Sequence, residues 1–159
     1  MTSVLFVCTG NICRSAMAAQ LATAWAKNSD VELRVDSAGV SDEEHGNPMD
    51  RRAVQKLTEH GYQPSKHSAR HVRAGELADF DLVLAFEPHH LRSLQRLAPE
   101  SDNLRLVTDF DPQATPGSGI ADPWYGRMQD FEDTYQAIVG ALPGIFADLG
   151  HPDITDPKA

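Results

Sequence analysis

Val4-Leu5-Phe6-Val7 is an unbroken apolar run near the start of the chain, and Leu82-Val83-Leu84-Ala85-Phe86 is a second. Short runs without polar alternation predict strands buried on both faces, as in a parallel sheet covered by helices. Val31, Leu33 and Val35 alternate instead with Glu32, Arg34 and Asp36, which predicts a half-buried strand at a sheet edge. Leu104-Arg105-Leu106-Val107 predicts a short last strand. Helical patterns lie between these runs. Residues 16–27 are alanine-rich and set Met17, Leu21 and Trp25 along one stripe. Asp50 caps a helix running to about His60, which Gly61 ends, and Pro88 opens another carrying Leu91, Leu94 and Leu97. Phe131, Tyr135, Ile138, Val139 and Leu142 mark a final helix, which Pro143-Gly144 is expected to kink or end. Residues 108–126 read as a long loop rich in proline and glycine, of a length that is usually functional or disordered. Residues 155–159 read as a disordered tail.

Strands alternating with helices predict an α/β fold, a single domain over residues 1–159 with an open parallel sheet and helices on both faces. Placing the two continuous apolar strands in the middle gives the strand order 2-1-3-4. The loop after the first strand is then the topological switch point, where open α/β sheets bind ligands.

Charge narrows the choice of ligand. The 159 residues hold 23 acidic against 14 basic side chains, a formal net charge of −9. Such a surface repels nucleic acid and anionic membranes, so neither is expected as a partner. No apolar stretch approaches membrane-spanning length, and the first apolar run is of strand length with no basic flank, unlike a signal peptide. The two cysteines, Cys8 and Cys13, make no disulfide framework. A reduced, cytoplasmic protein is expected, and nothing in the sequence suggests more than a monomer.

The switch-point loop reads Cys8-Thr9-Gly10-Asn11-Ile12-Cys13-Arg14-Ser15. A cysteine followed six residues later by an arginine is a weak signal alone. Its place, ending a buried strand and opening a helix, makes it strong. A short loop curled before a helix turns successive N–H groups inward and forms an anion nest on the positive end of the helix dipole. The same field favours a thiolate, the nucleophilic form of Cys8. Arg14 offers a planar fork for two phosphoryl oxygens, and Ser15 is placed to donate to the Cys8 sulfur. Gly10 allows backbone conformations barred to other residues, and Asn11 tolerates left-handed ones. The loop has neither of the usual nucleotide-binding glycine patterns, and two cysteines five apart do not match zinc-ligand spacing, so neither metal nor cofactor is expected. Cleaving a phosphate ester also needs a proton for the leaving oxygen. The long loop offers Asp122, followed by Pro123 with Trp124 and Tyr125 as a wall for a flat substrate, and Asp109 and Asp111 as rivals.

From Val4 to about Leu149 the chain resembles the low-molecular-weight protein tyrosine phosphatases. The resemblance rests on Phe-Val-Cys8-Thr-Gly-Asn-Ile-Cys-Arg-Ser, Asp36-Ser37-Ala-Gly39, Arg52-Ala, His60-Gly, His67-Ser-Ala-Arg70 and Asp122-Pro-Trp-Tyr-Gly126. It implies a phosphatase I-like fold and hydrolysis of phosphotyrosine through a cysteinyl-phosphate. Cys8 is implied as nucleophile, Arg14 as holder of the transition state and Asp122 as general acid, then base. The substrate is implied to meet Thr9, Gly10, Asn11, Ile12, Cys13, Ser15, Trp124 and Tyr125. Ser37 and His67 are implied to share a buried network with Asn11 that fixes the loop. Phosphotyrosine-bearing proteins, a tyrosine kinase among them, are the partners it implies. Relatives acting on phosphoarginine carry threonine at the place of Ile12, so Ile12 points to an aryl phosphate. Cys13 either traps oxidised Cys8 as a disulfide, as in relatives, or simply packs.

The departures concern the helix start and the rim. Ala16 stands where relatives usually have proline, which is expected to soften the helix start slightly. Many relatives place a tryptophan after Ser-Ala-Gly, where this chain has Val40-Ser-Asp-Glu43-Glu44-His45-Gly. A more open and acidic rim is expected, one that disfavours acidic residues beside the phosphotyrosine. Thiol-dependent arsenate reductases share this fold but need further cysteines. A non-catalytic phosphotyrosine-binding module has no need of both Cys8 and Asp122.

Overall fold

A computed structural model describes residues 1–158. Its four strands are β1 (Ser3–Cys8), β2 (Arg34–Gly39), β3 (Leu82–Ala85) and β4 (Leu104–Leu106), and all neighbours pair in parallel in the order β2-β1-β3-β4. The four α-helices are α1 (Arg14–Asn28), α2 (Arg51–Glu59), α3 (Pro88–Leu97) and α4 (Met128–Asp148). Single 3-10 segments cover Ala74–Asp79 and Val107–Phe110. The expected sheet order and edge position of β2 hold, because β1 and β3 are wholly buried and only central strands are covered on both faces.

Two apolar layers follow from the strand alternation. Val4 and Phe6 of β1, with Leu82 and Leu84 of β3, pack against α1, α2 and α4 through Leu21, Trp25, Leu57, Phe131 and Phe146. Leu5, Val7, Val83 and Ala85 face the other way, against Leu77 of the first 3-10 segment, Phe80 just after it and Leu94 of α3. Burying each large side chain of this kind contributes about 1.5–3 kcal/mol. The result is a rigid platform with the C-terminal ends of β1 and β3 side by side.

Some boundaries differ from the sequence pattern. β2 begins at Arg34, so Val31 and Leu33 precede it; Arg34 is the partner of Ser3, where β1 starts. α1 begins at Arg14 rather than Ala16, drawing the last two loop residues into its first turn. α4 runs through Pro143 to Asp148, so of the expected kink or end, the helix does not end there. Gly144 explains the tight packing there, since a Cβ would collide with the Phe110 carbonyl. In the tail, Thr155 N donates to Ser29 Oγ at 3.3 Å and Lys158 Nζ to the Gly61 carbonyl at 3.2 Å; Ala159 lies outside the described residues. Among the described residues, no helix is long and apolar enough to cross a membrane.

Candidate active site

Five of the six carbonyls of the loop from Cys8 to Cys13 are bonded outward. Cys8 O accepts from Val40 N at 2.9 Å, Thr9 O from Ser41 N at 3.0 Å, and Ile12 O from Asp50 N at 2.9 Å. Asn11 O meets His67 Nε2 at 2.5 Å, and Cys13 O accepts from Met17 N at 2.8 Å. In a trans peptide the N–H points opposite to the C=O. Outward carbonyls at these five residues therefore turn the N–H groups of Thr9, Gly10, Ile12, Cys13 and Arg14 inward, making an anion nest at the N-terminus of α1. Asn11 takes the left-handed turn that closes the loop, at φ 61°. Gly10 does not; its φ is not positive, and a Cβ there would meet only the Glu44 side chain, at 3.1 Å. The glycine the loop requires is Gly39, where a Cβ would lie 2.5 Å from the Thr9 carbonyl.

Behind the loop, Asn11 organises a buried network. Its Oδ1 accepts from Arg70 N at 3.0 Å, which fixes the amide orientation, and its Nδ2 donates to Ser15 Oγ and Ser37 Oγ at 2.9 Å each. Arg70 is itself anchored by Asp36 and Glu76, at 3.0 and 2.7 Å. Ser15 Oγ, which accepts from Asn11, also lies 3.0 Å from Cys8 Sγ; a thiolate at Cys8 can only accept, so in that form Ser15 donates its proton to the sulfur. His67 must donate from Nε2, because its partner is a carbonyl. The side chains of Asn11 and Ser15 thus brace the loop from behind and do not line the cleft.

Arg14 is almost fully buried, at 1% exposure. Nη1 donates to Glu87 Oε2 at 2.5 Å and to the Ile120 carbonyl at 2.8 Å. Nη2 has longer contacts, to Thr9 Oγ1 at 3.4 Å and Asp122 Oδ2 at 3.5 Å, and this edge faces the cleft. Burial opposes the charge on Glu87, but the hydrogen bond and charge of Arg14 outweigh it and hold the carboxyl below its usual value. His90 completes the support. Its Nδ1 accepts from Glu87 N at 3.1 Å, so Nε2 carries the proton and donates to Thr9 Oγ1 at 2.7 Å. Burial, helped by the charge of Arg14, drops His90 to about 3 and keeps it neutral. Donor atoms of Glu87, His89 and His90 approach within 4.8 Å of one another. With His90 engaged at both nitrogens and Glu87 facing Arg14, this group acts as an anchor for the arginine.

The cleft above the nest holds about 290 Å³. Cys8, Thr9, Gly10, Ile12, Cys13 and Arg14 form its floor; Ser41, Glu43 and Glu44 stand on one side, and Asp122, Trp124 and Tyr125 on the other. His45 does not line it. Tyr125 is 94% and Trp124 38% exposed, unusual for large rings. Asp122 Oδ1 accepts from Trp124 N at 3.0 Å, leaving Oδ2 toward Arg14. Its rivals are occupied elsewhere: Asp109 accepts from Leu106 N, and Asp111 accepts from Gln113 N and lies beside Gly140. Cys13 lines the floor with its thiol pushed up by burial and then by Asp50. It therefore stays protonated at neutral pH and does not compete as the nucleophile.

Residues 3–153 match the family described as low molecular weight phosphotyrosine protein phosphatase. The chain belongs to this family. It is 39% identical over 145 residues to low molecular weight protein-tyrosine phosphatase A of Mycobacterium tuberculosis, covering 89% of this chain and 88% of that protein. Against the human low molecular weight phosphotyrosine protein phosphatase it is 38% identical over 143 residues, covering 86% and 89%. A protein tyrosine phosphatase structure from Entamoeba histolytica superposes with a TM-score of 0.88 at 25% identity, covering 94% of this chain and 97% of that one. The family places the chain among protein-tyrosine-phosphatase hydrolases and agrees with Cys8 and Arg14 lying in a phosphate-binding loop.

Residues that no local pattern marked are Glu87, His90 and the Ile120 carbonyl. Glu87 and His90 sit just past the end of β3, beside the end of β1, so the sheet order pointed to that edge if not to the residues. Gly39 lay within a recognised motif, but its close approach to Thr9 is visible only in three dimensions.

Proposed function

We propose that the chain hydrolyses phosphotyrosine in proteins in two steps. Cys8 Sγ attacks phosphorus while the nest N–H groups and the Nη2 edge of Arg14 hold the equatorial oxygens. Asp122 gives its proton to the departing tyrosine oxygen, so the free hydroxyl leaves and a cysteinyl-phosphate remains. The same carboxylate then takes a proton from water, which attacks the phosphorus. The S–P bond breaks, inorganic phosphate leaves, and the hydrogen bond from Ser15 steadies the released thiolate. Ile12, Trp124 and Tyr125 offer the ring of the substrate an apolar and aromatic setting.

The observation that carries this reading is the ring of outward carbonyls, which leaves Cys8 beneath a set of inward N–H donors with Asp122 across the cleft. Hydrolysis of a phosphotyrosine peptide tests it. Cys8→Ser is expected to abolish turnover. Asp122→Asn is expected to lower kcat/KM by about 10²–10⁴, the usual contribution of a positioned acid, with less loss for an ester whose leaving group needs no proton. Full activity in Cys8→Ser would overturn the mechanism.

A further inference from the structure

Asp122 lies midway between two fastened carbonyls. On its N-terminal side, Ile120 O accepts from Arg14 Nη1 at 2.8 Å. On its C-terminal side, Trp124 O accepts from Arg52 Nη1 at 3.0 Å, and the same nitrogen reaches Gly126 O at 3.4 Å. Arg52 is in turn gripped by Asp50, whose carboxylate accepts from Arg52 N, Nε and Nη2 at 2.8, 3.1 and 2.9 Å. The guanidinium is packed 4.6 Å from the Phe131 ring centroid and 5.5 Å from that of Trp124. Asp50 N donates to the Ile12 carbonyl of the Cys8 loop at 2.9 Å. A continuous chain therefore runs from the nucleophile's loop, through Asp50 and Arg52, to the loop that carries the acid.

We propose that Asp50 and Arg52 form a positioning brace that fixes the reach of Asp122 over the Cys8 loop, with Arg52 acting on the proton transfer and not on the nucleophile. This rests on the assignment of Asp122 as the acid. A planar fork is needed for the task, since one edge must hold a carboxylate while Nη1 spans two carbonyls. A lysine offers a single point of attachment. The chemistry is sensitive to such placement, because proton transfer needs the acid within hydrogen-bond reach of the leaving oxygen.

A double-mutant cycle between Arg52→Gln and Asp122→Asn tests the brace, read as kcat/KM for a phosphotyrosine peptide and for p-nitrophenyl phosphate. In the native background Arg52→Gln is expected to lower kcat/KM for the peptide about tenfold, a part of the acid's contribution. The loss for p-nitrophenyl phosphate, whose leaving group needs little protonation, should stay below about threefold. In the Asp122→Asn background the same change should alter kcat/KM by less than about twofold, because the interaction it serves is already gone. Vanadate affinity should stay within about twofold of native, since the Cys8 loop is intact. Equal losses in both backgrounds, or none in the native one, would overturn the brace. Arg52→Lys gives the same comparison with a smaller loss should the glutamine variant fail to fold. An Asp122→Asn variant with native kcat/KM would instead overturn the assignment of the acid, and the brace with it.

Discussion

Replacing Glu87 with glutamine isolates the charge that balances Arg14. The Arg14 side chain is 2% exposed, so water cannot take over when its counter-charge is removed, whereas Glu87 is 27% exposed and partly hydrated. Losing one partner of a buried pair costs about 3–5 kcal/mol, and a hydrogen bond to a charged group contributes about 1.5–3 kcal/mol. Glutamine keeps an acceptor oxygen and nearly the same shape, so the lower figures apply, and about 2 kcal/mol is expected. For a chain of this size that is a fall in melting temperature of about 4–8 °C. Phosphate seated in the nest supplies the missing negative charge, so saturating phosphate should stabilise the variant more than the native protein and narrow the gap. The pH dependence has a definite sign. Glu87 is held below the ordinary value of 4.5, so its contribution is complete above that pH and is lost as the pH falls through its lower folded value. Thermal melts from pH 7 down to pH 4, with and without phosphate, read both effects. Equal melting temperatures at pH 7 without phosphate, or a gap that widens toward pH 4, would refute the reasoning.

Two further expectations concern the loop's packing and the cleft's rim. Gly39→Ala places a Cβ against a backbone carbonyl and is expected to cost about 1–3 kcal/mol in urea unfolding and to weaken vanadate binding; Gly10→Ala meets only a flexible glutamate chain and should cost less than about 1 kcal/mol. Equal costs for the two would show that the Thr9–Gly39 approach is unimportant. Because Glu43 and Glu44 line the cleft, phosphotyrosine peptides with basic flanks should show higher kcat/KM than those with acidic flanks, and the difference should shrink at high salt. A clear acidic preference would contradict this.

The parts of the molecule legible in the sequence are those whose cause is local. An unbroken Val4–Val7 run demands burial on both faces, and from this the sheet order and the switch point follow. The Cys8–Ser15 loop could be read because its nucleophile, arginine and helix start are contiguous. Arg14's counter-ion could not, since Glu87 lies 73 residues away and nothing beside it announces an ion pair. Asp111 and Asp122 are both followed by proline, and only packing separates them: one sits against Gly140, the other over the nest. Pro143 shows tertiary contacts overriding propensity. The helix loses a backbone bond there but keeps Leu142, Ile145 and Phe146 buried, which favours continuing it.

A protein with a formal charge of −9 that is built to hold a dianion invites an electrostatic objection, and the geometry answers it by separating two ranges. Surface carboxylates act through water and are screened beyond about 8 Å at physiological ionic strength. The nest acts at contact. Its inward N–H groups are fixed by outward carbonyls, and they need no reorganisation when the anion arrives. Arg14 contributes a full charge, but Glu87 already neutralises much of it on the side away from the cleft. What remains is a directed edge, with Nη2 facing the cleft and Nη1 tethered. The global charge therefore bears on encounter, where acidic substrates approach against a repulsive field, and the loop governs capture. Raising salt should accordingly speed association of acidic phosphoproteins while leaving the turnover of bound substrate nearly unchanged.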